Sequence, residues 1–588
     1  MKKSNLLITI LMSLTIYGCN SSNANTNSTH NKEEEYYEIF DGLYVNKHPG
    51  IYSEGFDLEF KLDDKNAKLY YTLNSNKPIE NEENLYTEPI YVDKKESKER
   101  KDFPLTTSVD GILMNDHGGK VQSQNYINNI QKPSKYNFSP LQKVITINYI
   151  DASNNSHTRS LSYIFGDYDI PVVSLSMPYK EWFGSTGLYN NIRIEYEKRA
   201  NLEYIDPEQD EYFYRNTQVK IGGNWTVGYP QRTLNLNFNK DEFGKKQEKV
   251  KANIFKGRKT QDGTKTLDTF TRLRLHNGGN CFENYTGIND AIMQEMMYGT
   301  NCATTGYRPC IVYLNGEYWG LYSIREHYKD VYFSTNYGVN KDTVAIYDYK
   351  GEFIFNDGDD SDFDDFFFEL NTYLNNEFKN DNVYYDFIDK YIDVDSFIDV
   401  MIAHSFGCNR DFVGNNNNLR AWRTTVIDEN NDYADGKLRF ALHDADFVFT
   451  DASYWNFLEE GIDNSYVNFR MFRKLLRNKN FREAFYDRAE ELVSSHLSAE
   501  NGEEVIDRMI GEIEDYKLQS NYRWGIYYYG QEINHIKEIG LAGWNYEINY
   551  AKDFIYTRCY DEKETVYENG NINERNYLEA IEEVFNRY

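Results

Sequence analysis

The segment NRDFVGNNNNLRAWR, opening at Asn409, sets Asp411 ahead of four consecutive Asn, Asn415 to Asn418, and LRFALHDADFVF, opening at Leu438, adds Asp444 and Asp446. Carboxylate and amide oxygens in one place are what a hard divalent cation selects. Carboxylates that close are costly to bury unless a cation or a proton neutralises them. Metal-assisted phosphoryl transfer needs an Asp to orient or deprotonate the attacking group, then an Asn, then an Asp across a hairpin to grip the metal. Asp411, the Asn run, and Asp444 with Asp446 supply these in that order. The same residues admit two other readings. Asn runs cap turns and tolerate left-handed backbone, and Asp at a strand end often caps the next element. Two carboxylates also serve a hydrolase.

These groups need a scaffold. The apolar helical pattern DVDSFIDVMIAHSF precedes Asp411, with His404 read as a core histidine; the strands LRAWRTTVI and LRFAL, joined by a turn at DENNDYADGK, frame the two acidic loops. Upstream, IPVVSLSM reads as a buried strand, TQVKIGGNW and RTLNLNF as hairpin arms, and NDAIMQEMMYGT as a helix. RPCIVYLNGEYWGLYSIREHYKD gives two strands joined by Asn315-Gly316, whose residues accept the positive φ of a tight turn. Downstream, FREAFYDRAEELVSSHL and NGEEVIDRMIGEIEDYKLQSNYRW read as helices. A sheet-rich half followed by a helix-rich half predicts an α+β fold with a cleft between two lobes. The stretch NDGDDSDFDDFFFEL is a solvated loop leading into a helix, because its spacing lacks the ligand pattern of a calcium loop.

The remaining features bound the protein as a whole. At 588 residues, 40% hydrophobic and 16% aromatic, the chain holds material for several packed cores. A net charge of -29 argues against nucleic acid as a partner, because counterion release needs clustered Lys and Arg. Lys2 and Lys3 precede an apolar run from Leu6 to Tyr17, short for a membrane span and suited to a secretory signal. The run ends at IYGCN, which looks like a lipobox with Cys19 as the lipidated residue. The Asn- and Ser-rich stretch after it reads as a tether. The expectation is export and a lipid anchor at the bacterial cell envelope. Five Cys remain without a CxxC, so neither zinc nor a disulfide framework is indicated, and Cys302 with Cys310 is the one pairing considered. Between Gly42 and Gly166, short alternating runs such as FDLEFKL and VITINYI predict a small β-sandwich.

Two resemblances sharpen this. LYYTLNSNKPIENEENLYTEPI resembles the small immunoglobulin-like module appended to chitobiases and hexosaminidases, through Tyr71, Thr72, Pro78, Leu85, Tyr86, Pro89 and Ile90. From about residue 168 onward the chain resembles the CotH kinase family, atypical protein kinases named after a spore-coat protein. The matching segments are DIPVVSLSM with GLYNN, IGGNWTVGYPQRTLNLNF, LRLHNGGNCFENYTGINDAIMQEM, YLNGEYWGLYSIREHYKD and HDADFVF. Together with the N-terminal reading above, the resemblances imply the following layout: signal peptide 1–19, tether 20–36, β-sandwich 37–167 and a two-lobed kinase-like domain 168–588. It implies transfer of the ATP γ-phosphoryl to Ser or Thr of a surface or secreted protein, with Mg²⁺ or Mn²⁺. Asp411 would be catalytic. Asn418, with Asn417 and Asn416 as register alternatives, would hold the metal with Asp444 and Asp446. Glu326 would pair with the phosphate-contacting base or a metal. Arg232 stands where that base is usually Lys, and Asn289 replaces an Arg that Arg274 or Arg272 could supply; His443 replaces a Trp. Arg for Lys is not neutral at a phosphate site, so a catalytically inactive scaffold or adhesin is the alternative. Trp225 and Tyr229, near the Gly-rich hairpin, could cover a nucleotide base or equally pack under the hairpin.

Overall fold

The computed structural model describes residues 36–93, 113–114, 120–121, 142–191, 196–223, 226–229, 231–241, 244–281, 285–350, 352–414, 418–450, 457–524, 528–529, 537–538, 541–560 and 576–588. Cys19, Trp225 and the alternatives Asn416 and Asn417 lie outside the described residues.

Ahead of residue 166, strands Lys68–Thr72, Gln142–Ile150 and Ser156–Phe165 pair antiparallel, and Gly50–Tyr52 joins the last in parallel. A second sheet, Tyr37–Phe40, Leu43–Val45 and Phe60–Leu62, lies with it around Leu43, Leu58, Ile145, Ile147 and Phe165. FDLEFKL does not form one strand. The Glu59 N–H turns aside to the Asn46 side chain at 2.8 Å. Phe56–Leu58 therefore pairs with Ile90–Val92, and Phe60–Leu62 with Leu43–Val45. This unit is fastened to the next by Arg159, which donates to the Tyr212 hydroxyl at 2.6 Å and lies 4.2 Å from the centre of the Tyr214 ring.

The next unit is a closed barrel of strands Val172–Ser176, Lys198–Asp206, Glu211–Ile221, Leu234–Asn237, Arg272–His276, Glu317–Arg325 and Tyr307–Leu314, in that spatial order. First and last strands close it in parallel, and the other neighbours are antiparallel. The hairpin at Asn315-Gly316 has φ of 50° and 79°, both positive as a two-residue turn demands. Along Arg272–His276, Leu273 and Leu275 enter the core while Arg272, Arg274 and His276 stand half-buried on the other face, the two-residue alternation of a strand.

Beyond the barrel an antiparallel sheet runs Phe353–Gly358, Val344–Tyr349, Leu419–Thr424, Arg439–Leu442. Helix Val394–Phe406, capped by the Asp393 side chain, packs against it and is buried on every face after its first turn. Backbone bonds from Ala303 to Phe440 and Leu442, at 3.0 and 2.9 Å, tie this sheet to the segment entering the barrel. The run from Asn501 to Trp524 is two helices, Ala499–Gly511 and Glu514–Trp524, rather than one. Ile513 bonds back to Ile510 at 3.0 Å and is buried, a tightened i to i−3 turn that ends the first helix. One contiguous apolar core joins barrel, sheet and helices. Cys281, Cys302, Cys310, Cys408 and Cys559 are unbridged thiols, so Cys302 and Cys310 are not paired. Among the described residues no helix is long and apolar enough to cross a membrane.

Candidate functional site

Asp411 lies on the single-turn helix Arg410–Gly414, which leaves Val394–Phe406 through Cys408 at φ 49°. Asn418 enters strand Leu419–Thr424 at φ 71° and donates from Nδ2 to Asp411 Oδ2 at 2.8 Å. Asp444 follows strand Arg439–Leu442 at φ 56°. Its carbonyl accepts from Asn409 Nδ2 at 3.1 Å, and the next N–H, of Ala445, goes to Asp290 Oδ1 at 3.0 Å. Asp446 Oδ2 accepts the Asn280 N–H at 2.7 Å, and its carbonyl accepts the Cys281 thiol at 2.6 Å. Gly279, at φ 58°, lets the loop pass so close that any Cβ there would overlap the Asp446 carboxylate. Positive φ at non-glycine residues costs on the order of 1–3 kcal/mol each and persists where surroundings enforce it, as at binding sites.

The electrostatics follow from this crowding. Burial, then the charges of Asp411 and Asp290, push Asp444 up to about 7; a hydrogen bond with Asp446 and the charge of Arg274 act the other way. Burial, Asp444 and Asp290 push Asp446 well above the usual carboxylate range, against the Asn280 N–H. Without a cation, then, protons neutralise this pair near neutral pH. Among the described residues no three His, Cys, Asp or Glu side chains are arranged to hold a metal unaided. The donor set at this site instead mixes aspartate oxygens with the Asn418 amide, which suits a hard cation that keeps positions for waters or phosphate oxygens.

Opposite the acids stands a group of cations. Arg274 donates to Asn235 Oδ1 at 2.9 Å, and burial together with Arg420 and Arg325 pushes it down to about 10, while Asp290 and Asp444 oppose that shift. Arg420 is held by Asp348 at 2.8 Å and Lys329 by Asp357 at 3.2 Å. His327 is driven well below the usual imidazole value by burial and then by Arg274, Lys329, Arg420 and Arg272. His443 is driven down by burial, Arg420 and Arg274, and then by His404 and His276. Four cations thus act on His327, and two of them, Arg274 and Arg420, act also on His443, the residue before Asp444. Such an arrangement accepts a multiply charged anion.

The structure brings Asp411, Asn418, Asp444, Asp446 and Arg274 together. Arg232 goes elsewhere: it is 1% exposed, donates to the Tyr189 and Tyr229 carbonyls at 2.8 and 3.2 Å and stacks 4.4 Å from the centre of the Tyr189 ring. Burial pushes it down to about 10, and the groups acting on it are Tyr189 and Tyr322. Glu326 is also enclosed, accepting from Gly306 N–H at 3.1 Å and Asn336 Nδ2 at 2.8 Å, and burial raises its pKa. Asn289 serves as a brace, donating to the Val448 carbonyl at 2.6 Å. His404 is a core residue stacked 4.1 Å from Phe412, pushed down to about 3 by burial. Tyr229 is half-buried near Asp446, whose charge adds to burial in raising it to about 12. Sequence reasoning missed Lys329, Arg420, His327 and Asp290. The alternation of RLRLH marks one face of a strand, but only the tertiary register places Arg420 and Lys329 against it.

Fold and site together define a mixed α+β protein in which buried acids and a cationic barrel face meet. The chain belongs to the CotH kinase protein family, whose model matches residues 219–559. That span holds every acidic and cationic residue of the site and leaves out the N-terminal sheets. A search of curated proteins returned no match.

Proposed function

We propose that this chain is an exported atypical protein kinase that transfers the γ-phosphoryl of ATP to a Ser or Thr hydroxyl of a surface or secreted protein. Family membership supports the reaction class. The observation that carries the reading further is the buried Asp444–Asp446 pair with Arg274 beside it and Arg420 next to Arg274: the acids suit a metal, the arginines a polyphosphate.

A divalent ion, Mg²⁺ or Mn²⁺, would be held by Asp444 and the Asn418 carbonyl oxygen, with Asp446 beside them, and would neutralise charge on the transferred group. Asp411 accepts the proton of the attacking hydroxyl. The Asn418 Nδ2 bond at 2.8 Å fixes the Asp411 carboxylate for that task and leaves the amide oxygen for the metal. Arg274, Arg420, Arg272 and Lys329 bind phosphate oxygens, and their fixed positions make the site complementary to charge that builds in the transition state. In this reading the barrel and the sheet with its helices are the two lobes, and the cleft between them admits nucleotide and acceptor. The boundaries 1–19, 20–36, 37–167 and 168–588, lipidation of Cys19 and an acceptor at the cell envelope belong to the same proposal, with the first sheets acting as a spacer.

The test is calorimetric titration of ATP, with and without Mn²⁺, into the chain from Asn20 onward, beside Asp444→Ala, followed by phosphoryl transfer to casein beside Asp411→Ala. Metal-dependent binding lost in the first variant and transfer lost in the second are expected. Wild-type transfer no faster than that of the Asp411 variant removes the catalytic claim and leaves a scaffold, the reading that the enclosure of Arg232 favours.

A further inference from the structure

Asp290 opens helix Asn289–Met296 and is 9% exposed. Its carboxylate is fully committed. Oδ2 accepts Arg325 Nη1 at 2.9 Å, Oδ1 accepts the Ala445 N–H at 3.0 Å, and Gln294 Nε2 lies 3.0 and 3.2 Å from the two oxygens. Arg325 is likewise spoken for, donating from Nε to the Gly306 carbonyl at 3.0 Å and from Nη2 to Thr305 Oγ1 at 2.7 Å. Ala445 is the residue between the two site aspartates. Its N–H reaches Asp290 while Asp444 holds its left-handed backbone.

We infer that the Asp290–Arg325 pair is a positioning device that sets the Asp444–Asp446 loop against the cationic face, an inference that rests on the kinase reading above. Two observations lead there. Arg325 is paired directly across from Arg274 in the barrel, and Arg274 across from Asn235. Strand register thus sets Arg325 beside Arg274, and hydrogen bonds lead on from Arg325 through Asp290 to Ala445 in the acidic loop. Secondly, the Asp290 oxygens are divided between Arg325, Gln294 and the Ala445 N–H, which lies between the two site aspartates. A group whose oxygens are all engaged is there for its hydrogen bonds, and Arg325 offsets its charge at 2.9 Å. Supporting residues of this kind typically govern metal affinity by 10–100-fold.

The test uses Asp290→Asn in the chain from Asn20 onward, with Asp399→Asn as the matched control. Asp399 is another buried carboxylate that binds an arginine, Arg488, at 2.7 Å and a backbone N–H, of Asn301, also at 2.7 Å, away from the acidic loops. Binding of Mn²⁺ alone is read by loss of the free-ion electron paramagnetic resonance signal, and folding by circular dichroism. Half-saturation in Asp290→Asn should rise about 10–100-fold, against less than about threefold in the control. Arg325→Lys, which keeps the charge but loses the fork, should fall between them, and it carries the test should Asp290→Asn not fold. Equal half-saturation in the Asp290, Arg325 and Asp399 variants overturns the positioning role while leaving the kinase reading intact. Absence of Mn²⁺ binding by the wild type overturns both.

Discussion

Replacing Asp444 with Asn should stabilise the protein in alkaline, metal-free buffer, and the size of the gain follows from the crowding of acids around it. In the unfolded chain this carboxyl titrates near its ordinary value of about 3.9; in the folded protein it is pushed up to about 7. Below the ordinary value both states keep the proton, and the group has no effect on stability. As pH rises toward 7 the unfolded chain releases the proton and the folded one keeps it, so stability falls by about 1.4 kcal/mol per unit. Above about 7 the loss is constant, at about 4 kcal/mol. An amide of the same size is neutral throughout. Asp444→Asn should therefore exceed wild type by about 2 kcal/mol at pH 5.5 and about 4 kcal/mol at pH 8, or roughly 1–2 °C of unfolding temperature per kcal/mol at this chain length. The assay is differential scanning calorimetry at both pH values in the presence of a chelator. Mn²⁺ should then raise the wild type at pH 8 by mass action and leave the variant unchanged. A difference between variant and wild type that is the same at pH 5.5 and pH 8 would refute the argument, because it would mean that Asp444 is not held in an unfavourably ionised state.

Three further outcomes are expected. Arg232→Ala should destabilise by about 3 kcal/mol or more in thermal unfolding, through lost stacking and two buried hydrogen bonds, yet leave the Kd for Mn·ATP within about twofold; a large loss of nucleotide affinity in folded protein would return Arg232 to the phosphate site. Arg274→Ala should do the reverse, raising that Kd by about 10–100-fold, the value of a charge-assisted hydrogen bond, with little change in unfolding temperature. Gly279→Ala forces a Cβ into the Asp446 carboxylate at a backbone angle that suits glycine, so Mn²⁺ binding by calorimetry should be lost; unaltered binding would show that Asp446 is dispensable to the metal.

Much of this protein was determined by local sequence. A turn such as Asn315-Gly316 depends on backbone freedom within two residues, and strands such as Val172–Ser176 on apolar runs of fixed length, so both are written in the chain wherever it folds. The order Asp411, Asn418, Asp444, Asp446 is legible for the same reason: the residues lie in short segments beside recognisable elements. Tertiary structure decided what could not be local. FDLEFKL alternates like one strand, but a hydrogen bond to Asn46 divides it between sheets. Arg232 and Arg274 both lie in or beside barrel strands, and the choice between them is tertiary: Arg232, just ahead of strand Leu234–Asn237, turns to Tyr189, while Arg274, on the polar face of Arg272–His276, meets the acids. Lys329, Arg420 and Asp290 join the site from three separate elements. Charges act over ångströms in space, and in a closed barrel packed on a sheet those ångströms join residues more than a hundred positions apart in the chain, as the 3.0 Å bond from Ala445 to Asp290 does.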